Sequence, residues 1–324
     1  MVNSLIFAGT PRFAVPTLER LVESGFPVRL VVTQPDKPRG RGMELAASPV
    51  KQSALKLGLS VIQPEKIKPN DEFRAQIGAL QPDAIIVVGY GRIIPQWMID
   101  LPRFGNLNLH ASLLPKYRGA APIQWAIASG ESVTGVTIIR IDAGLDTGGI
   151  LLQRELAIEP EDTAETVAPR LATVGADLIV EALRGLDAGS ISSRPQDHAR
   201  ATLAPILTKR DGQIDFHRTA TEIRNRLRGF QPWPGAFTTF RGKNLHVWSA
   251  KVVPAEIVSG VLQPGELRSE GELVVLGFGD HTALELLEVQ IEGKTRMPAR
   301  DFVNGYRPFA GERLGEHAVG EHSA

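Results

Sequence analysis

The stretch Ala84-Ile85-Ile86-Val87-Val88-Gly89 decides the fold. An unbroken apolar run of strand length, closed by glycine, reads as a strand buried on both faces, and such strands belong to parallel sheets covered by helices. Working outward, similar runs lie at Ser4 to Ala8, Pro27 to Thr33 and Leu59 to Ile62. Stretches of helical period separate them near Phe13 to Ser24, Pro49 to Leu57 and Asp71 to Leu80. The alternation predicts an α/β fold, a Rossmann-like and mostly parallel sheet with helices on both faces. Gly105 to Leu109 continues the series, Val133 to Ile141 and Ile150 to Leu156 form a late pair of strands, and a long helix over Thr163 to Leu186 closes a first domain at 1–189.

Composition changes after that helix. Gly, Ser and Pro with few large apolar residues mark 190–205 as a linker crossing the surface. A helix over Thr219 to Arg228 follows, then strands near Phe237 to Phe240, Leu245 to Val253, Leu273 to Leu276 and Ala283 to Val289, separated by Gly, Pro and Asp turns. This pattern predicts a smaller, OB-like β-barrel over 206–310, with a polar tail at 311–324. Trp233, between two prolines, is expected to pack under that barrel. The chain shows no internal repeat.

The 324 residues exceed what one core usually supports, which agrees with two domains. Lys plus Arg and Asp plus Glu both number 36, so the whole chain has no global attraction to nucleic acid or acidic membrane, although a neutral total can hide a basic region. The absence of cysteine excludes disulfides, thiolate zinc sites and cysteine nucleophiles. The first apolar run is too short for a signal peptide and nothing reaches membrane-spanning length, so a cytoplasmic protein with no membrane partner is expected.

The chemistry concentrates in Asn108-Leu109-His110-Ala111-Ser112-Leu113-Leu114-Pro115, directly at a predicted strand end. Residues at i and i+2 of a strand share a face, so Asn108 and His110 can reach one substrate atom. An amide donor beside an imidazole suits stabilising oxygen charge and moving a proton, and the carboxylate of Asp146 follows in a glycine-rich segment. The trio points to transfer of an acyl-type carbon. Rival motifs fail. Gly89-Tyr90-Gly91 opens like a dinucleotide fingerprint, but Ile94 stands where the third glycine is needed. Gly293-Lys294-Thr295 lacks the first glycine of a phosphate loop, and no metalloprotease, serine-elbow or calcium-loop spacing occurs.

Phe7-Ala8-Gly9-Thr10-Pro11, Gln34-Pro35-Asp36-Lys37-Pro38, the Asn108 to Pro115 segment, Arg118-Gly119-Ala120-Ala121-Pro122, Asp146-Thr147-Gly148 and Pro232-Trp233-Pro234-Gly235 together closely resemble the methionyl-tRNA formyltransferase family, over nearly the whole chain. Folate-dependent formyltransferases in general share the Asn, His and Asp trio, so the flanking segments are what narrow the acceptor. The resemblance implies 10-formyltetrahydrofolate as donor, with no metal, and the α-amino group of methionine on initiator tRNA as acceptor. It places the folate near Ser112, Leu113, Leu114 and Pro115; Tyr90, Gly91 and Ile93, just beyond another strand end, are positioned to shape the same cleft. A monomer is the default expectation.

The RNA side rests on charge placement. From Lys209 to Lys251 nine Lys or Arg face three acids, an excess that can track a phosphate backbone through Lys209, Arg210 and their neighbours or present a solvated face. Lys37, Arg39 and Arg41 make the loop after the second strand basic, and the resemblance implies that this insertion meets the acceptor stem. His198, His217, His246, His281, His317 and His322 read as structural or solvated. Two rival functions stay open: a formyltransferase acting on a nucleotide sugar or another small amine, and a catalytically silent RNA-binding protein.

Overall fold

The computed structural model describes residues 1–39 and 44–315. It divides into two compact units, the first made of Met1–Pro122, Val133–Ala157 and Thr166–Pro205, the second of Ile123–Ser132, Ile158–Glu165 and the chain from Ile206 onward.

The first unit is built on a seven-stranded sheet: β1 (Leu5–Gly9), β2 (Val28–Val32), β3 (Val61–Ile62), β4 (Ala84–Val88), β5 (Asn106–His110), β6 (Val133–Arg140) and β7 (Ile150–Ala157), in the spatial order β7-β6-β5-β4-β1-β2-β3. The five strands from β3 to β5 in that order are parallel, and β6 and β7 continue the sheet antiparallel. β1 and β4 are buried at every position, as continuous apolar strands covered on both faces must be. The helices α1 (Val15–Glu23), α2 (Pro49–Lys56) and α3 (Asp71–Ala79) connect the parallel strands. Their starts are local chemistry: Ser48 Oγ accepts from the Lys51 amide at 3.1 Å, and Asn70 Oδ1 from the Phe73 amide at 2.9 Å.

Strand order reverses between β1 and β4, so the loops leaving their carboxyl ends diverge and open a crevice, the usual ligand position in an open α/β sheet. The loops are tied there: Gln34 Nε2 donates to the Tyr90 carbonyl at 2.8 Å, beside Gly89 and Gly91, both in the left-handed region. β5, the next strand, ends at the same side of the sheet. A long helix, α6 (Ala164–Asp187), packs against β5, and Gly175 permits this because a Cβ there would fall 2.6 Å from the Leu109 side chain.

The segment 190–205, expected as a linker, lies within the first unit. Arg194 bridges Ile150, and Leu203–Ala204 pairs in parallel with Arg118–Gly119. Two short helices went unread in the sequence: α4 (Gln96–Ile99) and α5 (Pro122–Ala128). Lys37–Arg39 and Glu44–Ala46 pair as a small antiparallel ribbon, and Arg41 lies outside the described residues.

The second unit holds α7 (Ala220–Gly229), whose Thr219 and Glu222 form a reciprocal capping box, and an antiparallel sheet of β8 (Ala236–Phe240), β9 (Lys243–Val253), β10 (Leu267–Glu270), β11 (Leu273–Gly277) and β12 (Ala283–Ile291). The order is β8-β9-β12-β11-β10, and β13 (Met297–Pro298) pairs with β12. Its core centres on Phe240, Phe278, Phe302 and Leu245. The final helix, α8 (Ala299–Tyr306), adds Phe302, whose ring meets that of Phe240 edge-on at 5.0 Å.

The closed barrel expected from strand spacing is not what the pairing shows. Among the described residues β8 and β10 are separate edges. The segment Glu312–Gly315 bonds to both: Glu312 accepts from the Leu267 amide at 2.9 Å, and the Gly315 amide donates to Thr239 at 2.8 Å. Trp233 also departs from expectation. It is 57% exposed, because the turn from Gln231 to Gly235 projects it outward while Phe230 fills the interior.

Candidate active site

Asn106, Asn108 and His110 share one face of β5, as the period of two requires. Asn106 is a structural member, donating from Nδ2 to the Met98 carbonyl at 2.7 Å. Asn108 and His110 sit further along the strand, and His110 is only 5% exposed. Asp146 arrives from the loop between β6 and β7. Its Oδ1 lies 3.5 Å from Asn108 Nδ2 and its Oδ2 lies 3.6 Å from His110 Nδ1.

The imidazole orientation follows from one contact. His110 Nε2 is 2.8 Å from the Tyr117 carbonyl, which can only accept, so Nε2 carries a proton and donates it. Nδ1 is therefore the ring atom that faces Asp146. At 3.6 Å the Nδ1 to carboxylate contact is too long for a direct hydrogen bond, leaving both groups able to address a third.

Asp146 has φ of 51°, in the left-handed region that is uncommon for a residue with a side chain. Its support is specific. The Gly119 amide donates to Asp146 Oδ2 at 2.8 Å, and Gln196 Nε2 donates to the Asp146 carbonyl at 2.8 Å. Gly148 is required next in the loop, since a Cβ on it would overlap the Arg140 carbonyl.

The expected folate residues divide by position. Ser112 and Leu114 are interior: Ser112 Oγ donates to the Lys116 carbonyl at 2.6 Å, and the Leu114 amide donates to Thr137 Oγ1 at 3.1 Å. Leu113 and Pro115 are half-buried beside them, with the Leu114-Pro115 peptide cis. The Tyr90 ring is packed in the core with Ile85, Met98 and Phe73, and this burial pushes its phenol pKa up, so only its backbone reaches the crevice. Ile93 is 91% exposed and lines a cavity of about 570 Å³. Lys66, Lys68, Arg92, Ile94 and Ala143 also line it, and Ala143 belongs to the loop that carries Asp146. Sequence reading missed Lys66, Lys68 and Arg92. Lys66 and Lys68 lie in the connection between β3 and α3, Arg92 in the one after β4, and nothing in local spacing links the two connections before the chain folds.

The basic region of the second unit is largely engaged in architecture. Arg224 pairs with Glu161 at 2.5 Å, Arg241 with Glu312 at 2.7 Å, and Arg228 Nη1 donates to the Asp162 carbonyl at 2.8 Å. Arg226 stacks over Phe230 at 4.9 Å, and burial lowers the pKa of both Arg226 and Arg228. Lys209, Arg210, Lys243 and Lys251 are exposed. Lys209 lies 5.8 Å above Phe237, the first ring of a series that continues through His246 to Trp248. Arg296 covers Trp248 at 3.3 Å.

Comparison with known proteins gives two family matches, to the formyl transferase model over residues 2–183 and to the formyl transferase C-terminal domain model over residues 206–307. The chain is 68% identical over 311 residues to a methionyl-tRNA formyltransferase of Koribacter versatilis, covering 96% of this chain and 98% of that protein. It is 59% identical over 311 residues to that of Acidobacterium capsulatum, covering 96% and 99%. Among solved structures, the N-formyltransferase from Helicobacter canadensis in complex with folinic acid and dTDP-3-aminofucose matches with a TM-score of 0.65 at 19% identity, over 88% of this chain and 99% of that one. HypX from Aquifex aeolicus, in complex with tetrahydrofolic acid, matches with a TM-score of 0.57 at 18% identity, over 98% of this chain and 51% of that one. At these identities the structural likeness is one of fold.

Proposed function

Because the chain belongs to the methionyl-tRNA formyltransferase family, we infer that it transfers the formyl group of 10-formyltetrahydrofolate to the α-amino group of methionine carried by initiator tRNA. The observation that supports this chemistry is the convergence of Asn108 Nδ2, His110 Nδ1 and Asp146 within 3.5 to 3.6 Å at the carboxyl end of β5.

The neutral amine attacks the formyl carbon, and the carbonyl oxygen becomes a tetrahedral oxyanion. Asn108 offers an amide N–H to it. His110 can add only an Nδ1 proton, since its Nε2–H is held by Tyr117. Asp146, anchored by the Gly119 amide, receives the proton that the attacking nitrogen must lose, directly or through water. Collapse of the intermediate expels the folate nitrogen, which takes up the proton that Asp146 received, directly or through water, and leaves the formyl group on the methionine.

The cavity near Ile93 suits the donor. Its apolar lining matches an aromatic ligand, its volume of about 570 Å³ falls in the range of small-molecule sites, and Lys66, Lys68 and Arg92 suit a carboxylate-bearing end. Arg92 Nε is buried there with no hydrogen-bond partner among the described residues. The proposal extends to the second unit as the RNA-contacting part, through Lys209 and Arg210, and to Lys37, Arg39 and Arg41 as a second contact. It also keeps an OB-like curl for the second sheet, supported by the bridging of both edges by Glu312–Gly315.

The test is direct formyl transfer from 10-formyltetrahydrofolate to methionyl initiator tRNA, with an amino-sugar nucleotide as alternative acceptor. The tRNA is expected to be formylated and the sugar nucleotide left unchanged. Asn108→Ala and Asp146→Asn should each lower kcat by about 100- to 1,000-fold. Near-normal turnover by the folded variants would remove these residues from the mechanism.

A further inference from the structure

Gln196 lies fifty residues beyond Asp146 in sequence, in a segment with the composition of a linker, yet it is only 6% exposed. Its amide is completely used. Nε2 donates one hydrogen to the Asp146 carbonyl and the other to the Gly148 carbonyl, both at 2.8 Å. Oε1 accepts from Arg118 twice, from Nη2 at 2.6 Å and from Nε at 3.2 Å. Arg118 is 8% exposed and donates also to His198 Nδ1 at 3.1 Å, while the next residue, Gly119, gives its backbone amide to Asp146 Oδ2 at 2.8 Å. The pairing of Leu203–Ala204 with Arg118–Gly119 fixes the base of this assembly.

We propose that Gln196, held in orientation by Arg118, is a positioning residue for the reaction, gripping the backbone on either side of Thr147 so that the Asp146 carboxylate is aimed between Asn108 and His110. The proposal rests on the reading of Asp146 as the group that takes the amine proton. Its physical basis is the set of bonds that fix the left-handed conformation of Asp146, an uncommon one for a residue with a side chain. Gly119 secures the carboxylate end, and Gln196 secures the peptide from which that carboxylate projects. A buried primary amide is the side chain suited to this task. It offers two donors to two carbonyls while its own oxygen accepts the guanidinium, so every polar atom of the group is satisfied. A glutamate would keep the Arg118 bonds and lose both donors, and would bring a carboxylate oxygen against two carbonyl oxygens.

The experiment compares Gln196→Met, Gln196→Glu, Asp146→Asn and the Asp146→Asn/Gln196→Met double variant. Each is assayed for kcat and for KM toward folate donor and methionyl-tRNA, with turnover normalised to the folded fraction. Both Gln196 variants are expected to lose kcat by about 10- to 100-fold, the effect of a misplaced catalytic group, with each KM changed by less than about threefold. The double variant should be no slower than Asp146→Asn alone, because a residue acting only through Asp146 has nothing left to position. Gln196→Glu retains the Arg118 contacts and serves if Gln196→Met folds poorly. Unchanged kcat in the folded Gln196 variants, or losses that multiply in the double variant, overturns the proposal while leaving the role of Asp146 intact. Normal turnover by Asp146→Asn removes the underlying reading and this inference with it.

Discussion

At the scale of residues, the site is a set of polar groups whose partners come from distant parts of the chain. Thr137 is the clearest case. Its buried hydroxyl donates to the Ser112 carbonyl at 2.6 Å and accepts from the Leu114 amide at 3.1 Å and from Gln153 Nε2 at 3.0 Å, fixing the turn that follows His110. Thr137→Val keeps the shape and removes all three bonds, leaving buried backbone groups unpaired. The expected cost is about 1–3 kcal/mol, read as a lower urea midpoint at unchanged slope. A shift below about 0.5 kcal/mol would show that the turn is held by packing alone. Asn108, His110 and Asp146 were legible in the sequence, two of them because strand spacing puts them on one face. Thr137, Gln196 and the Tyr117 carbonyl were not, because nothing in local spacing joins residues that meet only across a sheet or between loops.

Among elements, the close approach of α6 to β5 decides where the strand carrying Asn108 and His110 lies. Gly175→Ala would place a methyl group 2.6 Å from the Leu109 side chain, on the face of β5 opposite Asn108 and His110. Overpacking of this kind costs about 1–3 kcal/mol, and a displaced strand should also lower kcat; the paired readouts are thermal stability and formyl transfer. Wild-type values for both would mean that the helix yields without moving the strand. In the second unit, β8 and β9 carry Phe237, His246 and Trp248. Burial, assisted by the Lys209 charge, holds the His246 pKa below the usual histidine value of 6.5. A lowered folded pKa means that the unfolded chain binds the proton first, so stability present above pH 6.5 is lost as the pH falls below it. Between about pH 7 and pH 5 the urea midpoint of the wild type should therefore fall more than that of His246→Gln, and equal slopes would refute the assignment. The apolar strands and amphipathic helices were readable from periodicity. β10 was not, since its residues look like a charged turn and become a strand only by pairing antiparallel with β11.

For the whole molecule, zero net charge conceals a division of labour that the count of basic residues overstates. Arg224, Arg226, Arg228 and Arg241 hold helices, rings and carbonyls of their own unit, whereas Lys209, Arg210, Lys243 and Lys251 are exposed. RNA binding should depend on the second group. KM for methionyl-tRNA is expected to rise steeply with salt while KM for the folate donor changes little, because release of counterions from phosphates governs only the former. Removing Lys209 or Arg210 as alanine variants should lower the salt slope for tRNA by about one each if each meets a phosphate. A slope unchanged in both variants would move the RNA contact elsewhere.

The amino-acid sequence by itself determined the strand and helix alternation, the face shared by Asn108 and His110, and the family, because these depend on periodicity and on residue identity at short range. Only the tertiary structure decided which nitrogen of His110 faces Asp146, what supports the left-handed Asp146, which cations of the basic region lie exposed, and that the second sheet is bridged at its edges rather than zipped shut. Each of these depends on a partner far away along the chain, and hydrogen bonding, burial and ion pairing are settled by distance in space.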